Sequence, residues 1–477
     1  RKRLIETYEA DNPGLVSEFN QEVASSNSIR ALLVALQLPG LGSGHLDLYQ
    51  AFAWRFWGLC RLNGRVGVVL PRGATGGSAL KEWRRVIVEE GAFANVCFLI
   101  NDSFWAFQGV DNRQRSSLTT IAKGGGTSGV EICGPFRSLS DFTEGVDITE
   151  TIEREDFLKV GGTFAIPLVP KGVPVGLVLA MQRHASLTCE SSEYIFRPVQ
   201  GDFNASADKD RWHSVREEGD LPVISGAGFD IWEPDQGDAY GWIAKADVES
   251  AFLASAERQV RNRRSAFYGE KPENVVSRYS RPRIAFRDRT NATNSRTTLV
   301  ALVPPDRVLV HNAPFLHRIK GDERSESYVL GVMSSIPFDW YSRLLVDRHL
   351  TFELLAMIPF PHFTPQGFAL TPEGNSWEAG IDGESRMALV DRVIEISGRL
   401  GAPDRRYSVW AKKVGVAVKS VKTDDEKEKL LAELDALVAL LYGLDRHQVE
   451  QLFATFHRGW DYKPRLTAVL AHLESWS

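Results

Sequence analysis

The feature that most limits the fold lies between residues 65 and 122. Arg65-Val-Gly-Val-Val-Leu-Pro71 is a nearly unbroken apolar run of strand length, closed by proline. A run of this kind marks a strand covered on both faces, because a half-exposed strand alternates. Leu80 to Glu90 follows as an amphipathic helix, then Phe93-Ala-Asn-Val-Cys-Phe-Leu-Ile100 and Ser117 to Ala122 as further strands. Strand, helix, strand and a close-set strand pair predict the edge of a doubly wound α/β sheet. Upstream, residues 1–40 read as helical, with Leu15, Phe19, Ile29, Leu32, Leu33 and Leu36 at helical spacing. His45 to Cys60 opens a second, strongly apolar helix that Asn63-Gly64 ends.

A second stretch, Pro282 to Pro305, joins two unlike halves. Residues 283–296 hold Arg283, Arg287, Arg289 and Arg296, with Asn291, Asn294 and several hydroxyls, against the single acid Asp288. Residues 299–303 are an apolar run stopped by Pro304-Pro305, the pattern of a buried strand. A strand that delivers arginines and amides to one edge suits an anionic partner, because guanidinium forks match phosphate and guanine edges and Asn matches adenine. The same composition also suits a solvated loop whose arginines pair with scattered acids.

The whole chain has a net charge of −5, so any basic surface must be local. It is concentrated between Glu257 and Arg296, where eleven lysines and arginines stand against four acids. Cys60, Cys97, Cys133 and Cys189 are far apart and lie in or near apolar runs, which reads as buried thiols of a reducing cytoplasm. No histidine spacing suggests a metal site, and no apolar run reaches the roughly twenty residues of a membrane span. The first residues show no signal peptide, and a start at Arg1 is compatible with an upstream portion. Pro234-Asp235 and Pro403-Asp404 could each open a metal-nuclease motif, but neither is followed by the acid-x-Lys pair that the metal requires.

Residues 124–160 are polar and Gly-rich and predict a linker between a first domain at 1–123 and a second at 161–375, with a helical C-terminal region at 376–477. Within the second domain, Leu168 to Leu179 reads as short strands, Leu221 to Asp230 as irregular β, and Ala244 to Arg264 as a helix leading into the basic stretch. Helices are predicted over 388–400, 424–442 and 446–456.

Several of these segments carry a family pattern in order. Leu46-Asp-Leu-Tyr, Asn63-Gly-Arg-Val-Gly-Val-Val-Leu-Pro71, Ala79-Leu-Lys-Glu-Trp-Arg84, Phe93 to Asp102 and Phe107-Gln-Gly-Val-Asp-Asn-Arg113 resemble the second half of an adenine-N6 DNA methyltransferase domain. The style is that of type IIG restriction–modification enzymes and the PglX methyltransferases of phage defence. Pro282–Pro305, Tyr328 to Pro361 and Leu434 to Asp445 resemble the family's later segments. The family binds S-adenosylmethionine with a Gly-rich strand–turn and holds its target amine with an Asn/Asp-Pro-Pro-aromatic loop. Both are absent here, and Asp11-Asn12-Pro13-Gly14 is only a turn. The resemblance therefore implies an α/β plus α+β chain: the C-terminal half of a Rossmann-like methyltransferase domain, a mixed α/β target-recognition domain and C-terminal helices. The upstream half, on the same or another polypeptide, would bind most of the S-adenosylmethionine.

The implied partners are double-stranded DNA, that upstream half and other defence-system subunits, in the cytoplasm and with no membrane. No catalytic residue is assigned in this chain. Phe107 stands where the family has the aromatic that stacks on a flipped base, although Phe104, Trp105 and Phe107 also suit a closed sheet edge. Pro71 and Arg72 lie at a strand end, where open α/β sheets form their crevice. Arg278, Arg281, Arg283, Arg287, Arg289, Asn291, Asn294 and Arg296 are the expected DNA-binding residues, mostly through phosphate. Trp340, Tyr341, His349 and Phe352 are expected to pack beneath them. In the loop at Leu221–Asp230, Ser225 and Ala227 replace an acid and a lysine of the family pattern, which leaves that loop without an expected role. The alternative reading is a non-catalytic DNA-specificity or scaffold subunit with a methyltransferase-like half-domain.

Overall fold

A computed structural model describes the chain except for residues 1–6, 10, 40–46, 112–113, 125–128, 160–163, 170–172, 191, 291–293, 347 and 457–460. The fold is mixed α/β, as expected, and divides into two compact units. The first holds residues 1–159 and 163–167 and the second almost all of the rest.

In the first unit, helices α1 (Pro13–Ala35) and α2 (Leu48–Leu59) precede strand β1 (Arg65–Pro71). A short helix α3 (Arg72–Gly76) and helix α4 (Lys81–Glu90) lead to β2 (Gly91–Ile100), which turns back as β3 (Arg115–Lys123). Strands β4 (Gly129–Phe136) and β5 (Glu150–Glu153) complete a sheet of order β1-β3-β2-β4-β5. β3 runs antiparallel to both β1 and β2, so the helical crossover from β1 lands two places away on a parallel strand. β2 and β3 pair along their length, from Gly91 opposite Lys123 to Ile100 opposite Arg115, which is the predicted hairpin.

Three expectations change here. β1 is an edge strand, with Arg65, Gly67 and Val69 exposed while Leu70 is buried. Its burial alternates along the strand, so one face is covered and the other is not, and among the described residues β3 is its sole strand partner in the sheet. Residues 124–160 are no linker: β4 pairs with β2 and β5 with β4, and Ile152 is fully buried. Finally, α1 forms but buries little, leaving Leu15, Phe19, Ile29 and Leu32 exposed.

The second unit is built on the sheet β10-β9-β12-β6 and a smaller sheet β11-β7-β8. Its strands are β6 (Ile195–Val199), β7 (Asp220–Ile224), β8 (Gly241–Ala244), β9 (Arg283–Phe286), β10 (Val300–Val303), β11 (Val308–Leu309) and β12 (Phe315–Lys320). Leu168–Leu179 contributes the start of a buried helix, Val175–Gln182, where strands were expected; an all-apolar stretch has no period that separates the two. Helix α5 (Lys245–Arg261) leads into the basic stretch. Helices α6 (Glu323–Ser334), α7 (Ile336–Leu345), α8 (Gly383–Gly401) and α9 (Asp424–Leu441) pack on the larger sheet and on one another. The C-terminal region is thus part of the same unit. Tyr407 donates to Leu302 O in β10 (2.7 Å), and Ile336 N donates to the buried Asp435 on α9 (2.8 Å).

Candidate nucleic-acid interface

The connection between β2 and β3 is organised by one buried side chain. Asn101 is 1% exposed, and its amide nitrogen donates to Phe107 O (2.9 Å) and Val110 O (3.1 Å). Its amide oxygen accepts from Ala106 N (3.2 Å) and Phe107 N (2.9 Å), so every donor and lone pair of the amide is used. Trp105 donates to Ile100 O (2.7 Å) and seals the start of the turn. Phe107 is half-buried against a cluster of Cys97, Leu99, Cys133 and Phe136, with its backbone fixed on both sides by Asn101. Ser103 and Phe104 adopt left-handed φ values of 54° and 62°, and Phe104 is the more exposed aromatic. Two strained non-glycine residues in a row persist only where the surroundings impose them. The sequence signal for Asn101 was an amide directly after an apolar strand, a signal too common to single out alone.

Pro71 caps α3, and the Arg72 guanidinium donates to Thr75 Oγ1 (3.1 Å) and lies over the Phe98 ring. A Cβ at Gly73 would meet the Tyr49 hydroxyl at 2.7 Å, so this turn is closed tightly on α2. Beneath it Arg84 is fully buried and donates to Ala74 O and Phe164 O, each 2.9 Å. Burial and the neighbouring Arg72 guanidinium push the Arg84 pKa down to about 9. The cavity lined by Phe93, Val130 and Phe157 measures ≈ 10 Å³, room for about one water and not for a nucleoside cofactor. That cavity, at the start of β2, does not fit S-adenosylmethionine.

In the second unit the predicted DNA-binding residues separate by depth. Arg278 and Arg283 are buried and converge on Asp202, at 2.8 and 2.9 Å, where Leu309 N also donates. Burial alone would raise the Asp202 pKa, but the Arg283 and Arg278 guanidiniums with the Leu309 amide hold it below the usual carboxylate value. The Arg278 guanidinium also lies 3.3 Å from the Phe252 ring centroid. Arg296 turns inward, donating to buried Asp339 (3.0 Å) and to Ser334 O and Ser335 O, which ties the segment leading into β10 to the start of α7. Arg287 donates to Phe229 O and pairs with Asp230. Asn294 donates to Thr290 Oγ1 (3.3 Å). Asn291 lies outside the described residues.

Arg281 and Arg289 are exposed. The backbone carrying Arg289 is pinned to a second segment: Leu350 N donates to Asp288 O (2.8 Å) and Thr290 N to Arg348 O (3.0 Å). Arg289 therefore lies opposite His349, with exposed Arg348 beside it. His349 is not packed in the core as expected; it is at the surface, with Nδ1 3.1 Å from Asp288. Trp340 and Tyr341 are buried as expected, and Phe352 is half-buried. Arg348 escaped the sequence reading because it sits 59 positions from Arg289 and only the strand-like bridge joins them. The loop after β7 borders this surface. Gly226 N donates to Asn312 Oδ1, and a Cβ there would lie 2.5 Å from Asn312 O, so only glycine allows the approach.

The two nuclease look-alikes have a structural role. Asp235 pairs with Arg307 and Arg406, and Asp404 pairs with the same Arg406. Among the described residues no group of three or more His, Cys, Asp or Glu is placed to hold a metal ion, and no helix is long and apolar enough to cross a membrane.

No family model and no curated protein matches the chain. Among solved structures, the type IIL restriction–modification enzyme MmeI in complex with DNA is similar at 11% identity and a TM-score of 0.44, over 90% of this chain and 54% of that one. The type IIG restriction endonuclease BpuSI is similar at 10% identity and a TM-score of 0.27, over 86% and 51%. The chain spans about half the length of each. Neither likeness is close enough to transfer a residue's role.

Proposed function

We propose that this chain supplies DNA binding and target recognition for a site-specific, S-adenosylmethionine-dependent adenine-N6 DNA methyltransferase of a restriction or phage-defence system. The observation that carries the reading is the β2–β3 loop, whose aromatic residues ride on a backbone that one buried amide locks in place. An adenine amine is inaccessible within a duplex, so the base must be extruded and held by stacking. Phe107 is the stacking residue in this reading, and Pro71 and Arg72 line the crevice. Arg281, Arg289 and Arg348 contact phosphate, while Arg278, Arg283, Arg287 and Arg296 hold the surface that presents them. Methyl transfer needs positioning more than acid–base chemistry. The cofactor and the groups that free the amine lone pair belong to an upstream half, on the same or another polypeptide. The open edge of β1 and the exposed apolar residues of α1 support a covering partner of that kind.

The test selects duplexes from a random pool with this chain and measures transfer of a labelled methyl group when an upstream half is supplied. Sequence-selective binding, adenine methylation and its loss in Phe107→Ala are expected. Binding that ignores sequence, with no methylation in any combination, overturns the proposal. Selective binding without methylation favours the non-catalytic specificity subunit.

A further inference from the structure

Positive charge is concentrated between Glu257 and Arg296, but the function proposed above draws only on the second half of that stretch. The first half lies at the end of α5 and in the turn that follows it. Arg258, Arg261, Arg263, Arg264, Lys271 and Arg281 are all exposed. Two acids among them are committed, Glu257 to Arg261 and Glu270 to His317. Among the described residues Arg258, Arg263, Arg264, Lys271 and Arg281 make no ion pair, and Glu273 alone is left to offset them. The dipole of α5 accounts for Arg258 and Arg261, which sit in its last turn. Its effect fades beyond that turn, so it does not account for Arg263, Arg264 and Lys271, where crowded like charges repel.

The turn that carries these charges is fixed in place. Phe267 is buried in the core with Val275 and Phe315, and its ring centroid lies 4.5 Å from that of His317. Gly269 N donates to Val260 O (3.0 Å), Arg264 N to Asn262 Oδ1 (3.0 Å) and Phe267 N to Ser265 Oγ (3.1 Å). Arg281 reaches the same histidine: burial first, and then the Arg281 charge, hold the His317 pKa down against the pull of Glu270. The turn and Arg281 therefore share one surface, at the end of β9 opposite Arg289. Within 258–270 the amides are spent, Asn262 on Arg264 N and the Gln259 nitrogen on Ser255 Oγ (3.2 Å). What faces solvent is guanidinium, ammonium and the Tyr268 ring, which is 44% exposed. Guanidinium forks and a tyrosine hydroxyl suit the phosphate oxygens of a nucleic-acid backbone, contacts that carry no sequence information.

We infer that Arg258, Arg263, Arg264 and Lys271, with Tyr268, extend the DNA-binding surface past Arg281 as a phosphate-contacting face that adds affinity without sequence choice. The inference rests on the DNA-binding reading given above and assigns a partner to a face that reading leaves out.

The test compares the whole chain with Arg258→Gln/Arg263→Gln/Arg264→Gln, whose exposed, unpaired side chains can be replaced without loss of the fold. A second triple, Arg405→Gln/Lys412→Gln/Lys463→Gln, removes the same charge from exposed positions elsewhere. Each protein is titrated over a salt series with a duplex selected by wild type, a scrambled duplex and a single-stranded RNA of equal length. The first triple is expected to bind both duplexes about tenfold more weakly, with a log–log salt slope lower by about two to three and an unchanged preference between them. The second triple should follow wild type. No loss in the first triple, an equal loss in both triples, or a loss confined to the selected duplex overturns the inference. A loss seen with RNA and not with duplex also overturns it and assigns the face to RNA. Wild type that binds neither duplex overturns the DNA-binding reading itself, an outcome distinct from wild-type binding that the first triple leaves intact.

Discussion

The β2–β3 loop and the segment between β9 and β10 both carry residues proposed to meet DNA, but they are held in opposite ways. The first rests on one neutral amide, Asn101, with all its hydrogen bonds made inside the loop. The second rests on buried carboxylates, Asp202 tied to Arg278 and Arg283 and Asp339 tied to Arg296. A neutral amide avoids the desolvation cost of an ion, but it serves a short span. A buried carboxylate between guanidiniums can join distant strands, and it fails badly when one member is lost. Arginine density in the second region therefore reports on scaffold as much as on surface.

The largest effect that would test this contrast is Asp202→Ala. It leaves Arg278 and Arg283 buried without their carboxylate, and a loss of about 3–5 kcal/mol is expected in urea unfolding. A near-neutral result would remove the scaffold role given to those arginines. Asn101→Ala strands the Ala106 and Phe107 amides and the two carbonyls, with an expected cost of about 1–3 kcal/mol. Faster hydrogen exchange should be confined to residues near 106–110. Uniform destabilisation without local exchange would show that Asn101 does not organise the loop.

Acid should separate the two regions further. The folded-state pKa of Asp202 lies below its unfolded value of about 3.9, so its contribution is complete above that pH and is lost as pH falls through the lower folded value. Wild type should show this acid-range component and Asp202→Ala should lack it; equal acid profiles would refute the assignment. The smallest stability effect belongs to the exposed pair. Arg289→Ala and Arg348→Ala should each change stability by less than about 0.5 kcal/mol. Each should lower duplex affinity and reduce the salt slope by about one. A large fall in stability would move them into the scaffold class.

Much of the first unit was legible because its signals are local. Apolar runs of strand length at 65–71 and 93–100, a helix between them and a partner at 117–122 all form. What the runs could not say is which strand lies beside which, and so β1 was read as covered although it forms an edge. Residues 124–160 were read as a linker because they are polar and Gly-rich; a single inward residue, Ile152, is enough to seat β5 once β4 is there to pair with. The strand pattern placed Phe107 in the turn between β2 and β3, its stacking role came only from the family resemblance, and the amide that fixes its backbone was not legible at all.

For the basic stretch, sequence alone determined the charge density and the buried strand at 299–303, which forms as β10. Tertiary structure decided the direction each arginine takes. Arg283 and Arg289 are six positions apart, yet the first meets a carboxylate 81 residues away and the second faces solvent opposite His349. Within this stretch Arg278 and Arg283 are buried where a distant chain segment brings a carboxylate to match them, and that match is a property of the assembled fold rather than of the residues on either side.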